Sequence, residues 1–325
     1  MDTTRFLDDL TLVPASLDAL ADRLDAGLGS RVLLPAARRL LILGMGSSLY
    51  AAAPVARRAR AQGLAVSVEL ASTRELPPPA PDLVVIAISA TGGSAEVLAA
   101  VAPYAGLGRL LVLTNREDSP LALLADAVVP LHAGVEASGV ACRTFRHTAL
   151  VVERVLAGYG YAPPADPAGL ARTAAAANQH LLDSRPAWLE SAASILGGPD
   201  GTWTMAPVER LASAQQAALM MREVPRRPAS ASETGDWSHV DVYLTKTLDY
   251  RALLFAGSAW DHAALDWMAQ RGSTFVSVGA RLPGAALTIR YPGDDDPLVA
   301  ALSEVLVGEL VAQSWFAAAG EGIPA

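Results

Sequence analysis

Four hydroxyl side chains, Ser48, Ser89, Thr91 and Ser94, stand in two glycine-bearing segments of the chain. The first reads Gly44-Met45-Gly46-Ser47-Ser48 and the second Ser89-Ala90-Thr91-Gly92-Gly93-Ser94. Each follows a short apolar run and opens a helix-forming stretch. Glycine lets a backbone come close to a ligand, hydroxyls and helix N-terminal amides donate to anionic oxygens, and the helix dipole favours the negative charge. Neither segment holds a lysine or arginine, which suits a small phosphomonoester better than a nucleoside triphosphate. The P-loop pattern with its lysine is absent, and so is a Gly-x-Gly-x-x-Gly fingerprint after a strand. Taken singly, either segment also reads as an ordinary helix cap and turn. Two of them at neighbouring strand ends point to a phosphate cradle.

The elements that must hold these segments follow from the apolar pattern. Arg39–Gly44, Leu83–Ser89, Leu110–Thr114 and Ala127–Leu131 are short apolar runs of the kind found in strands buried on both faces. Helix-forming stretches follow them, with another strand at Val66–Leu70 and a Pro77–Pro79 break. The alternation predicts a parallel, three-layer α/β domain that closes with a helix near Phe145–Leu156. Thr202–Ala206, Leu253–Ala256 and Phe275–Val278 repeat the plan in the second half, followed by a long helix over Pro297–Phe316. The expected organisation is a helical segment over 1–28, a first domain over 29–165 carrying the cradle, and a second over 166–325. The strand-end loops of the second half lack the hydroxyl cluster, so one phosphate site per chain is expected.

With 325 residues, 52% of them apolar, the chain can fill two such cores. A net charge of −8 argues against a general nucleic-acid partner. One lysine, Lys246, nearly removes imine chemistry, and one cysteine, Cys142, removes any intrachain disulfide. The N-terminus lacks a signal-peptide apolar region, and no stretch gives the roughly 20 uninterrupted apolar residues of a membrane span. A cytoplasmic protein with no membrane partner is expected. His132, His147, His180 and His262 show no metal spacing, so neither a metal nor another cofactor is expected.

The segments Leu40–Tyr50, Val84–Leu98 and Val112–Leu150 resemble the sugar isomerase (SIS) domain, the fold of the isomerase half of glucosamine-6-phosphate synthase and of fructosamine-6-phosphate deglycases. The family's Cys-Gly-Thr-Ser is Met45-Gly46-Ser47-Ser48 here, and its Ser-Gln-Ser-Gly-Glu-Thr is Ser89-Ala90-Thr91-Gly92-Gly93-Ser94. Its Ala-Gly-Thr-Glu and Gly-Val-Ala-Ser match Ala133-Gly134-Val135-Glu136 and Gly139-Val140-Ala141-Cys142. The resemblance implies two tandem flavodoxin-like SIS domains, each a parallel sheet flanked by helices, and a phosphorylated sugar or aminosugar as ligand. It implies phosphate contacts from Gly46, Ser47, Ser48, Ser89, Thr91, Gly92 and Ser94, and sugar contacts from Glu136, Val140, Ala141 and Cys142. Ala90 replaces the family's glutamine, which removes one donor. From the residues alone, Glu136 either faces the pocket or caps a turn, and Cys142 reads as a small buried side chain.

Moving a proton beside a carbonyl needs a base, and opening a sugar ring needs a second proton-handling group. Glu223 ends the first helix of the second half, and His239 follows sixteen residues later. The family's Lys-x-x-Glu and Lys-His-Gly-Pro carry the same spacing. The resemblance implies Glu223 as base, His239 as ring opener, and a homodimer in which the histidine comes from the neighbouring subunit. Read by residue type, a helix-end glutamate is ordinarily solvated and a histidine in a polar loop ordinarily structural. The family's lysine is Met220 here, and His-Gly-Pro is His239-Val240-Asp241. No counterpart of the synthase's C-terminal lysine or glutaminase domain is present, so glutamine-dependent amination is not expected. Isomerisation, deamination or deglycation of a hexose 6-phosphate derivative is. The alternative is a non-catalytic phosphosugar sensor. The acidic N-terminal segment is too short for a helix-turn-helix, so such a sensor would act through a protein partner.

Overall fold

The computed structural model describes residues 3–30 and 37–320. Helices α1 (Thr3–Thr11) and α2 (Val13–Asp25) precede a first sheet of β1 (Arg39–Gly44), β2 (Val66–Leu70), β3 (Leu83–Ile88), β4 (Leu110–Thr114) and β5 (Ala127–Pro130). All neighbours pair in parallel, in the order β2-β1-β3-β4-β5. Every residue of β3 and β4 is buried, because helices cover both faces and the strand sequences are apolar without alternation. Those helices are α3 (Gly46–Ala61), α4 (Ala95–Val101), α5 (Pro120–Leu124) and α6 (Arg143–Ala157), with α3 packing on α6. The β2–β3 connection has no helix. Pro77, Pro78 and Pro79 lack the amides a helix would need, and an extended strap runs there instead.

Helix α7 (Pro167–Ser184) carries the chain onward to α8 (Leu189–Leu196) and a second parallel sheet. Its strands are β6 (Thr202–Ala206), β7 (Ala229–Glu233), β8 (Arg251–Phe255), β9 (Thr274–Val278) and β10 (Leu287–Ile289), in the order β10-β9-β8-β6-β7. Numbered within each sheet, both orders are 2-1-3-4-5, the flavodoxin-like arrangement. Helices α9 (Leu211–Glu223), α10 (Thr234–Trp237), α11 (Asp261–Arg271), α12 (Pro297–Ser303) and α13 (Val305–Ala319) complete it. The expected helix over Pro297–Phe316 runs as α12 and α13, joined at Glu304, whose backbone stays helical at φ −60 and ψ −30. The stretch Pro297–Ala319 has the length and apolar content of a membrane span, but 78% of its apolar window is buried inside the protein.

Contacts divide the described chain into two compact units. One holds the first sheet and comprises described residues of Ala15–Glu136 and Ala141–Arg172. The other holds the second sheet and comprises described residues through Pro14, Ala137–Val140 and those from Thr173 onward. The helical segment expected over 1–28 is therefore divided. Helix α1 packs on α13 in the second unit, and α2 belongs to the first. The first core gathers Leu41, Leu43, Val85, Ala87 and Val112 under α4, and the second is built on Trp203, Met205, Trp237, Tyr250 and Leu254. There the Trp237 indole donates to the Tyr250 hydroxyl at 2.6 Å, and the Tyr250 ring stacks on Trp203.

His147, on α6, ties three elements of the first unit. Its Nδ1 lies 2.7 Å from the Leu131 carbonyl, which can only accept, so Nδ1 carries the proton. Its Nε2 then accepts from Ser16 Oγ of α2 at 2.7 Å. Burial pushes the imidazole down to about 4 from an ordinary 6.5. The folded protein holds His147 neutral while the unfolded chain protonates it, so this contribution is complete above pH 6.5 and lost as pH falls towards 4. Acidification from pH 7 to 4 should remove roughly 3 kcal/mol through this group. Urea unfolding of the wild type and of His147→Gln across that range should show the smaller pH dependence in the variant, and equal slopes would sink the assignment.

Candidate functional site

In a 2-1-3-4-5 sheet the crossovers from strands 1 and 3 leave to opposite sides, so the loops after them diverge and open a crevice at the carboxyl edge. In the first sheet those strands are β1 and β3, adjacent with Leu43 opposite Ala87. The loop after β1 passes through an extended Met45 into α3, and Gly46, Ser47 and Ser48 form the first turn, all partly exposed. A side chain on Gly44 would come within 3.3 Å of the Leu49 amide nitrogen and of Ser48 Cβ, so the strand end and the helix start are in close contact.

The loop after β3 is held from below by β4. Ser89 is 7% exposed, its amide donates to the Leu113 carbonyl, and its Oγ accepts from the Gly92 amide at 3.1 Å. That bond leaves the Ser89 hydroxyl proton for a ligand. The Ala90 carbonyl takes the Asn115 amide and Thr114 Oγ1, and the Gly92 carbonyl takes the Leu121 amide at the start of α5. Gly92 has φ +64, and a Cβ there would lie 2.0 Å from Ser119 Oγ, so no other residue fits. Thr91 is exposed. Ser94 is half-buried and its Oγ donates to Glu96 Oε2 at 2.9 Å. The Glu96 carboxyl is held below its usual range by its own backbone amide and by that serine. Thr114, Asn115 and Ser119 thus support the second loop and Glu96 takes the Ser94 hydroxyl proton, although none of them stood out in the sequence. The one available signal was that β4 ends in Thr114 and is followed by Asn115.

The third segment closes on itself. Glu136 Oε1 accepts the amides of Cys142, Arg143 and Thr144 at 2.7, 2.6 and 3.2 Å, and its Oε2 accepts Thr144 Oγ1 at 2.7 Å. The carboxylate therefore sits on the first turn of α6, the geometry of a cap. Asn115 extends the network, donating from Nδ2 to Thr144 Oγ1 and accepting the Ala133 amide. The side chains of Cys142 and Val140 are fully buried, and Ala141 is partly exposed.

Glu223 and His239 belong to the second unit. Glu223 is the exposed last residue of α9, followed by Pro225 and by Arg226, whose φ of +55 is unusual for a non-glycine residue. Helix α9 packs along β7, which leads into α10 and an exposed His239 whose amide donates to the Asp236 carbonyl. Glu233 anchors that turn by accepting the Asp236 amide at 2.8 Å. The corresponding crevice of the second sheet, after β6 and β8, is occupied by its own side chains. Asp261 Oδ2 accepts the Gly257 and Ser258 amides at 2.7 and 3.1 Å. Buried Arg210 donates to the Ala256 carbonyl and, at 3.0 Å, to Glu304 Oε1. Burial pushes the Glu304 carboxyl up against the pull of Arg210. An internal carboxylate and guanidinium thus take strand-end groups of the second sheet. Among the described residues, no cluster of three or more His, Cys, Asp or Glu is arranged to hold a metal ion.

Residues 33–157 match the family model described as the SIS domain. This stretch is a SIS domain. The tandem SIS fold takes in both five-stranded sheets. The C-terminal domain of glucosamine-fructose-6-phosphate aminotransferase from Francisella tularensis aligns at a TM-score of 0.80 and 14% identity, over 97% of this chain and 95% of that one. Tagatose-6-phosphate ketose/aldose isomerase from Escherichia coli aligns at a TM-score of 0.75 and 17% identity, over 98% and 96%. Glucosamine-6-phosphate deaminase from Thermotoga maritima aligns at 0.69 and 15%, over 97% and 95%. A search of curated proteins finds no significant match.

Two substitutions test the architecture of the SIS crevice. Gly92→Ala combines a left-handed backbone with a clash against Ser119, and should cost about 2–4 kcal/mol in chemical denaturation. A loss below about 1 kcal/mol would mean the turn moves freely. Glu136→Ala should cost about 2 kcal/mol through the uncapped α6, and a neutral effect would refute the capping role.

Proposed function

We propose that this chain binds a hexose 6-phosphate derivative at the first crevice. On that ligand it acts as an aldose–ketose isomerase or as an aminosugar-phosphate deaminase or deglycase. The observation that carries this reading is the hydroxyl set of Ser48, Ser89, Thr91 and Ser94 on the two loops that flank the β1/β3 switch point, inside the segment matched by the SIS family. Gly46 and Ser47 bring backbone amides to the same anion, and Gly92, whose own amide goes to Ser89, shapes the second loop around it. The absence of a cation in either loop limits the site to a phosphomonoester of modest affinity. The similar folds named above include a ketose/aldose isomerase and a glucosamine-6-phosphate deaminase, and the reading takes its reaction classes from them.

In this reading Glu223 removes the proton from the carbon beside the sugar carbonyl and returns it to the carbonyl carbon, as the hydroxyl proton of the first carbon passes to the carbonyl oxygen, while His239 opens the ring by moving a proton from the anomeric hydroxyl to the ring oxygen. His239 comes from a second copy of the chain, so the working form is a homodimer. Glu136 holds the adjoining wall by fixing α6, with Val140, Ala141 and Cys142 beside it. The cytoplasm is the compartment where such a substrate is met. A second reading, binding without turnover, is favoured by Met220 and by the His239-Val240-Asp241 sequence, where the resembling enzymes carry lysine and His-Gly-Pro.

Calorimetric titration with glucose 6-phosphate, fructose 6-phosphate and glucosamine 6-phosphate should give binding with at least one, weakened about tenfold or more in Ser89→Ala. Incubation in deuterated water should label C1 or C2 of that sugar, and Glu223→Gln should slow the labelling by 10²–10⁴-fold or so. Binding without labelling would leave the non-catalytic reading standing, and no binding to any of the three would overturn both.

A further inference from the structure

The strap between β2 and β3 leaves a hollow on the face of the first sheet that a crossover helix would otherwise cover. On one side of the strap lies a cavity of about 600 Å³ bounded by Ala71–Arg74, Leu76–Pro79 and the outer side of α4. That volume falls within the range of small-molecule sites, roughly 300–1,000 Å³. Its walls divide by chemistry. Leu76, Pro77, Ala100, Pro103 and Tyr104 form an apolar floor, and the Tyr104 hydroxyl is tied to the Pro77 carbonyl. Ser72, Thr73 and Arg74 supply hydroxyls and a guanidinium on one rim, and Glu96 supplies a carboxylate on α4. Arg74 is exposed and forms no ion pair among the described residues, whereas Arg39 pairs with Asp82 and Arg116 with Asp118.

The cavity also shares a wall with the phosphate cradle. Ala71 donates its amide to the Gly44 carbonyl at 3.2 Å, at the root of the first cradle loop. Glu96 both lines the cavity and accepts the hydroxyl proton of Ser94, one of the four cradle hydroxyls.

The geometry points to a second ligand site here, for a free α-amino acid with a large apolar or aromatic side chain. A cation and an anion on the rim match the two charges of a zwitterion. The Arg74 guanidinium takes the α-carboxylate through parallel hydrogen bonds, and the Glu96 carboxylate takes the α-ammonium. The side chain lies on the Leu76, Pro77 and Tyr104 floor. Because Glu96 holds Ser94 Oγ in the empty site, an ammonium drawing Glu96 away frees that hydroxyl to donate to a phosphate in the cradle. Amino acid and sugar phosphate therefore reinforce each other's binding, by the same factor in both directions. The amino-acid site stands without the sugar-phosphate reading, and only the reinforcement rests on it.

Calorimetry on the full chain tests this with L-phenylalanine as probe. L-Phenylalanine should bind with a Kd on the order of 1 mM or below. Phenethylamine, which lacks the carboxylate, 3-phenylpropionate, which lacks the amine, and glycine, which lacks the side chain, should each bind about tenfold or more weakly. Arg74→Ala and Glu96→Ala change exposed side chains and should keep the wild-type melting profile while losing about tenfold in L-phenylalanine affinity. Saturating L-phenylalanine should tighten glucose 6-phosphate about fivefold in the wild type. In Glu96→Ala that tightening should vanish, with the free protein already at the tighter affinity. Absence of L-phenylalanine binding overturns the proposal, and so does equal binding of all four probes or binding indifferent to Arg74→Ala. If L-phenylalanine binds in this pattern while no sugar phosphate binds, the amino-acid site holds and the phosphosugar reading fails separately.

Discussion

A parallel sheet brings all its strands out at one edge, and each backbone amide and carbonyl beyond that edge must find a partner. The two sheets of this chain share one strand order and meet that requirement in opposite ways. In the second, Asp261 takes the amides after β8, and Arg210 takes the Ala256 carbonyl while pairing with the buried Glu304. The amides after β8 and the Ala256 carbonyl are thus taken from within. In the first, the turn after β3 is supported from β4 and α5 without closing the crevice. The Ala90 and Gly92 carbonyls are taken by Asn115, Thr114 and Leu121, while the Thr91 side chain stays exposed and Ser48 partly so. One topology thus yields a filled edge and an open one, and the difference lies in a handful of loop side chains.

The open edge depends on rigidity behind it. Asn115 follows β4, and its amide holds both Ala133 and Thr144. Thr144 holds Glu136, and Glu136 holds the first turn of α6. A carboxylate shared by three backbone amides is worth more than a neutral cap, because each bond is charge-assisted and lies at a positive helix end. Further along α6, His147 fixes the helix to the end of β5 and to α2. The segment from Leu131 to His147 is pinned at both ends and in the middle. This explains how His132 is kept at a φ of +54 without a glycine.

The parts of the fold legible in the sequence were those where burial alone decides conformation. The runs at Leu40–Leu43, Leu83–Ile88 and Leu110–Leu113 are apolar throughout because both their faces are covered, and they read as strands without ambiguity. The edge strands β7, Ala-Ser-Ala-Ser-Glu, and β10, three residues long, gave no such signal. They have one neighbour each and bury less, so their conformation is set by pairing with β6 and β9 rather than by local preference. At the site, the glycines and hydroxyls of the two loops were readable, since their chemistry is local. Ser119 and Asn115 were not, because their role is to touch residues more than 15 positions away in sequence, Gly92 and Thr144. Glu136 was readable as a choice between pocket and cap, and its distances to the amides of Cys142, Arg143 and Thr144 make it a cap of α6.

The proline strap shows how a local sequence feature propagates to the surface of the domain. A crossover helix between β2 and β3 would bury its apolar face on the sheet and leave little room. Three successive prolines fix φ near −65° and withhold the amides a helix needs, so the chain crosses in an extended form. An extended strap is narrower than a helix and cannot fill the width left to it, so hollows remain on both of its sides, one about 270 Å³ beside Leu83 and Arg109 and the other about 600 Å³ beside α4. Such hollows in a flexible loop would close by collapse. Here collapse is opposed by the restricted prolines and by the Tyr104 hydroxyl, which props the strap at Pro77. A cavity kept open by backbone restriction costs little further ordering when it is filled, so even a few polar contacts at its rim can be expressed as affinity.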